Sequence, residues 1–129
     1  MVISGGTISF APGTHITVTS GETLKIFNST LRACGNDMWG GIIVETGGTL
    51  IVDQNSKIED AEIGADFETG SHCQISNAIF NKCFISSRLQ GNVDDTKHFR
   101  NVKFYCQDFS GQPTMLLAPH TGIRASGIS

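Results

Sequence analysis

One phrase returns along this chain at a nearly fixed interval, and that recurrence constrains the fold more than any single motif. Its fullest copy is Trp39 to Ala61, WGGIIVETGGTLIVDQNSKIEDA. The turns Thr19-Ser20-Gly21, Thr46-Gly47-Gly48 and Thr69-Gly70-Ser71 follow one another at steps of 27 and 23 residues. Leu24 and Ile26 match Leu50 and Val52, then Cys73 and Ile75, and Phe99 continues the latter column. Before the turn, Ile16 and Val18 match Ile42 and Val44, then Ala65 and Phe67. After it come Asn28, Asn55, Asn77 and Asn101, each with an apolar residue three places on: Leu31, Ile58, Phe80 and Phe104. Four of the seven asparagines fall in that one column, so the spacing is not a by-product of composition.

A period of 22–27 residues with short alternating apolar pairs is the pattern of a parallel β-solenoid. Within each pair one face points inward and the other to solvent. A single coil cannot close its own core, so each is stabilised by neighbours stacked about 4.8 Å above and below. The all-β solenoid is expected to have about 4–5 coils with three short strands per coil, near Ile42–Val44, Leu50–Val52 and Ile58 in the reference coil. A leucine-rich repeat would need a helical segment in each unit. A β-sandwich would show Asn-Gly or Asp-Gly hairpin turns, and neither dipeptide occurs.

The asparagines at the corner have a physical reading. Asn tolerates the left-handed conformation of a sharp bend, and its amide can bond the Asn stacked on it, so Asn28, Asn55, Asn77 and Asn101 are expected to form a ladder of buried amides. The register breaks at Ser86 to Thr96, SSRLQGNVDDT, expected to be a loop protruding over 86–96. The tail after Phe109 reads as the start of a further coil, and Ile3 to Phe10 as a strand without a cap. Open coils expose unpaired edges. The chain is therefore expected to be one domain, 1–129, forming a segment of a longer solenoid, and its partners include neighbouring coils or end-to-end self-association.

Composition excludes some functions. A formal net charge of −3 offers no basic footprint for nucleic acid, and no apolar run approaches the roughly 20 residues of a membrane span. The first residues, MVISGGTISF, lack the basic and apolar regions of a signal peptide. Cys34, Cys73, Cys83 and Cys106 show no zinc spacing, and buried small hydrophobes are the simplest reading of them. Cys83 and Cys106 lie one period apart, which puts a disulfide between adjacent coils within reach.

The segment Met38–Gly64, MWGGIIVETGGTLIVDQNSKIEDAEIG, resembles the right-handed parallel β-helix proteins of the pectate-lyase-like superfamily. It is similar in particular to β-helical regions of secreted or cell-surface proteins of Bacteroidetes-type bacteria. The resemblance rests on Trp39, Gly40, Gly41, Ile42, Val44, Glu45, Gly47, Gly48, Leu50, Ser56, Ile58, Glu59, Asp60 and Ala61, and it implies a right-handed coil and an exported protein. That fold hosts lyases, hydrolases, adhesins and passive stalks alike.

Catalysis on such a fold needs carboxylates and a base aligned across coils. Glu45 and Glu68 occupy one position in neighbouring coils, and Asp94-Asp95 sits in the expected loop. The Asn-Thr-Asp, Gly-His-Gly and Arg-Ile-Lys segments that accompany the hydrolase acid pair are missing, as is the lyase R-x-P-x-x-R. Asp53, Glu59, Asp60 and Glu62 gather near one corner; calcium could be held there, though a solvated acidic face is the simpler reading, and no other metal or cofactor is implied. Trp39 is expected to seal a corner, with sugar stacking as its alternative. The sequence therefore points to a non-catalytic secreted or cell-surface module, a stalk or an adhesin-like surface for polysaccharide or another surface protein. The binding candidates are Glu45, Glu68, Asp94, Asp95 and Trp39, and the alternative is a polysaccharide lyase or glycoside hydrolase.

Overall fold

A computed structural model describes residues 1–91, 99–112 and 114–121, and the backbone of 126–128. Every regular element among them is a strand: β1 (Val2–Phe10), β2 (His15–Val18), β3 (Thr23–Ala33), β4 (Trp39–Val44), β5 (Thr49–Asp53), β6 (Ser56–Glu59), β7 (Ala61–Phe67), β8 (His72–Asn81), β9 (Ile85–Leu89), β10 (Phe99–Tyr105) and β11 (Ser126–Ile128). Among the described residues no helix is long and apolar enough to cross a membrane.

The strands stack into a parallel β-solenoid of four turns. Sheet I runs β1-β3-β5-β8-β10, with β6 joining β3 to β8, and sheet II runs β11-β9-β7-β4-β2. The registers reproduce the sequence columns. Leu24 pairs with Leu50 and Leu50 with Cys73, while Ile26, Val52, Ile75 and Phe99 form one row. Leu31, Ile58, Phe80 and Phe104 form another, and Val18, Val44, Phe67 and Leu89 a third on sheet II. These inward rows make the core, in which Ile26, Leu31, Ile42, Val44, Leu50, Val52, Phe67, Ile75 and Phe80 are wholly buried. Each contributes roughly 1.5–3 kcal/mol relative to exposure. Trp39 closes the row beside Phe10, its ring stacked at 4.2 Å and its indole N–H donating to the Glu59 carbonyl at 2.8 Å.

The second and third strands of a coil are one strand in the first and third turns. β3 and β8 run unbroken through Asn28 and Asn77, each bent by a single left-handed residue (φ 48° and 47°). Only the reference coil divides, into β5 and β6. There Gln54 and Asn55 are both left-handed, so the coil carries one residue more at its corner.

The expected loop over 86–96 is corrected in its first part. Ile85–Leu89 is strand β9, with Ser87 opposite Ala65 and Leu89 opposite Phe67. Polar side chains disguised it: Ser86 and Ser87 are both buried, and Ser87 is small enough to fit the inward row beside Ala65. Asp94 and Asp95 lie outside the described residues. The tail also differs from a further coil. After β10, residues 114–121 run along the side of the stack between the end of sheet I and the start of sheet II. Ala118 bonds Asn36 and Met38, Leu116 is buried, and His120 stacks on Phe84 at 3.8 Å and meets Glu62 at 3.3 Å. The coil resumes only with β11, beside β9.

Candidate binding surface

Because inward positions are apolar, the chemistry of a solenoid lies on its outward rows, turns and loops. Three outward regions hold polar side chains in register.

The first is the asparagine corner. All four asparagines are left-handed, Asn55 at φ 60° and Asn101 at φ 53°. Asn101 donates its amide to Asn77 at 2.8 Å, and Asn77 donates in turn to the Asp53 carboxylate at 2.9 Å. The rung expected of Asn55 is thus taken by Asp53, because the extra corner residue carries Asn55 out of line. The amides are exposed, which corrects the expectation of a buried ladder. Asn77, Asn101 and Asp53, with Gln74, Ser76 and Arg100, line an open groove of about 490 Å³.

The second region is the outer face of sheet II. Asp66 is buried and Arg88 stands opposite it on the next strand. Arg88 donates through Nε at 3.0 Å and also through Nη2, and Gln90 donates at 2.7 Å to the same carboxylate. Burial pushes the Asp66 carboxyl up, but the hydrogen bonds from Arg88 and Gln90 and the guanidinium charge outweigh it, so the group titrates below 3.8. The same bond holds the guanidinium proton more tightly still. An acid and an arginine so locked leave neither a basic carboxylate nor a deprotonated guanidine for proton abstraction. Glu45 and Glu68 stand one above the other just past Val44 and Phe67, and their backbones build the turns: each N–H donates to the preceding coil at 2.9 Å. Among the described residues neither carboxylate is in an ion pair.

The locked pair gives a pH prediction. A carboxyl lowered in the folded state adds stability above its unfolded pKa, and that stability is lost as pH falls through the folded value. Asp66→Asn should therefore cost on the order of 1 kcal/mol at neutral pH, a modest figure because Arg88 is 41% exposed. Urea midpoints of the two proteins should differ constantly above about pH 5 and converge below 3.8. A gap that widens in acid would refute the assignment.

The third region is a cleft of about 470 Å³ beneath the turn that follows β10. Its floor is the outward side of β6 and β8, from which Lys57, Glu59 and Asn81 project, with Arg32 and Lys82 beside them. Its roof is a loop built by Asp108. That carboxylate accepts the Ser110 N–H at 2.9 Å, the Ser110 hydroxyl at 2.7 Å and the Gln112 N–H at 3.0 Å. The Ser110 and Gln112 bonds hold the half-buried carboxyl below its ordinary range. Asn81 ties loop to floor: its amide donates to the Gln107 carbonyl at 3.0 Å and to Glu59 at 3.2 Å, and its oxygen accepts the Gln107 N–H at 3.0 Å. So held, the loop projects Phe109 wholly into solvent. Below it, Lys82 lies 3.2 Å from Asp60 Oδ1 in a contact that is coulombic rather than a well-directed hydrogen bond. Burial pushes the Asp60 carboxyl up by more than Lys82 offsets.

The remaining sequence candidates do not converge. Trp39 has no exposed surface, so it packs and cannot stack on a ligand. Asp53, Glu59, Asp60 and Glu62 each have a separate partner, and among the described residues no three His, Cys, Asp or Glu gather as a metal site. Cys83 and Cys106 are free thiols, not a disulfide. Cys83 points inward toward the Ile58 carbonyl, where burial pushes its thiol up to about 12, whereas Cys106 turns to the Thr114 carbonyl at 3.0 Å. Sequence reasoning missed Asn81, Asp108 and Phe109. The Asp108-Phe109-Ser110-Gly111 run was the available signal, because Asp two places before Ser caps its own turn and leaves the middle residue outside.

The chain matches no protein-family model, and no curated protein or solved structure is significantly similar to it. The solenoid architecture therefore stands on the registers themselves.

Proposed function

We propose that this chain is a non-catalytic solenoid module of a secreted or cell-surface protein, a rigid stalk that binds polysaccharide in the cleft beneath the Asp108 loop. The observation that carries the reading is Phe109, a wholly exposed aromatic ring fixed at the rim of a polar cleft. A single exposed Phe is ordinary on a protein surface, but at the rim of a polar cleft its flat apolar ring is suited to stack on the C–H face of a sugar ring. The cleft wall mixes the donors Arg32, Lys57 and Lys82 with the acceptors Glu59 and Asp108, a set that matches sugar hydroxyls, which both donate and accept. With Lys82 paired to Asp60, the two remaining cations and two anions balance, which favours neutral over strongly anionic glycans. The likeness of Met38–Gly64 to exported pectate-lyase-like β-helices agrees with this role. The acids on the outer face of sheet II support a non-catalytic module, since Asp66 is neutralised in place by Arg88.

The test is a panel of immobilised neutral and acidic polysaccharides, scored for retention and for cleavage products. Retention is expected without cleavage. Phe109→Ala should weaken it about tenfold, or about 1.4 kcal/mol, while leaving the unfolding midpoint unchanged. Cleavage that disappears with Glu45→Gln or Glu68→Gln would sink the reading.

A further inference from the structure

Asp60 follows the last residue of β6 and Lys82 the last residue of β8, and Glu59 and Asn81 before them are paired, so the two occupy one corner position in consecutive coils. The corner is tied through the backbone, the Asp60 N–H donating to the Asn81 carbonyl at 3.2 Å. Both residues are left-handed, Asp60 at φ 60° and Lys82 at φ 57°. Aspartate tolerates that region well, whereas lysine is uncommon there and strained. The strain holds the lysine stem over the corner rather than out in solvent: its side chain is only 18% exposed, against 2% for Asp60.

This corner sets an amine against a buried carboxyl group. Lys82 Nζ lies 3.2 Å from Asp60 Oδ1, yet among the described residues that oxygen has no hydrogen-bond partner. A strong ion pair aligns an ammonium N–H on the carboxylate oxygen. Here the nitrogen touches the carboxyl group without that alignment, and Cγ is one bond beyond the oxygen it touches. Such a separation is that of groups held ready to react. Burial, to which the neighbouring Glu59 charge adds, pushes the Asp60 carboxyl up toward its protonated form, the form that has a leaving group. A buried ion pair without well-directed hydrogen bonds is also a poor resting state, because the desolvation of both charges goes unrepaid.

We propose that Lys82 and Asp60 condense in the folded chain to an intramolecular amide that staples two consecutive coils. The step needs the amine and the acid in their neutral forms, which differ from the ion pair by one proton passed between the two groups. The nitrogen lone pair attacks Cγ and the Nζ–Cγ bond forms. The bond from Cγ to the acid hydroxyl breaks, and the hydroxyl leaves with one amine proton as water. Nothing is oxidised or reduced, and no co-reactant is consumed. The fold supplies the effective concentration that two free side chains lack, and the dry corner disfavours the reverse hydrolysis. The cross-link needs no ligand and does not involve Phe109, so it stands or falls apart from the saccharide reading.

Mass spectrometry of the full chain, held folded at neutral pH and then denatured, tests it. The wild-type mass should be that of the sequence less one water, and digestion should release a branched peptide joining the Asp60 and Lys82 segments. Lys82→Arg, which keeps the positive charge at the corner, should show the full mass, as should Asp60→Ala. A succinimide also loses water, but it forms within a linear peptide and reopens in mild alkali, whereas the amide cross-link persists. A folded wild-type chain at full mass, a loss of water confined to a linear peptide, or a loss that survives in Lys82→Arg would overturn the proposal.

Discussion

Gly41→Ala is expected to abolish the native fold. Gly41 sits inside β4 at φ 99°, and a Cβ added there would lie 1.7 Å from the Ile63 carbonyl oxygen and 2.7 Å from its carbon. Both atoms belong to the backbone of β7, so no side chain can swing aside. The pairing of β4 with β7 shifts register at this point, from Gly41 opposite Ile63 to Ile42 opposite Ala65. Relieving the clash means parting the two strands at the centre of sheet II, where Ile42, Val44, Ala65 and Phe67 are wholly buried. The left-handed conformation alone costs alanine roughly 1–2 kcal/mol. With the lost pairing the total should exceed about 4 kcal/mol, a large part of the stability of an ordinary domain. Gly13→Ala is the matched control: its φ of 71° is also left-handed, but nothing lies within 4 Å of the added carbon. It should cost only about 1–2 kcal/mol. Urea unfolding followed by far-UV circular dichroism distinguishes the two, and equal midpoints would show that the approach of β7 to Gly41 is not what the glycine serves.

The same glycine shows where the sequence is readable and where it is not. The inward columns could be read directly because each coil must place an apolar side chain above the last, and any slip would move that row to solvent. Leu31, Ile58, Phe80 and Phe104 therefore stand in the sequence in the order in which they stack. The extra residue in the reference coil was visible only as a change of step from 27 to 22, and it decides that Asp53 rather than Asn55 continues the ladder. Gly40 and Gly41 lie within a strand, although in sequence a glycine that admits a neighbouring carbonyl and one that turns the chain read alike. Strand β9 was hidden for a related reason: burial in a narrow row selects size, and Ser87 satisfies it while looking polar.

The binding surface was less legible than the core. Outward rows are under no packing constraint, so Glu45 and Glu68 align simply because the coil repeats. Asn81 combines contacts that no periodicity encodes, reaching Glu59 on the coil before it and Gln107 in a loop after β10. Phe109 owes its exposure to hydrogen bonds made by its neighbours rather than to its own character.

Trp39 carries the second large expected effect, and it separates packing from recognition. Trp39→Ala should destabilise the fold by about 3–5 kcal/mol, the range for a buried aromatic removed from a core that cannot collapse around the void. Trp39→Phe keeps a ring against Phe10 but leaves the buried Glu59 carbonyl without its indole donor, a loss of about 1–3 kcal/mol. The smaller variant should remain folded and keep full retention on the polysaccharide that binds the wild type, because a residue with no accessible surface has no face to offer a sugar. Phe109→Ala should do the reverse, lowering retention at constant stability. Fluorescence supplies an independent reading, since Trp39 is the chain's only tryptophan. Its emission should be blue-shifted, protected from iodide, and unchanged by saturating saccharide. A quench on saccharide addition, or retention lost with Trp39→Phe while the unfolding midpoint holds, would move the binding site from the Asp108 loop to the row that Trp39 closes.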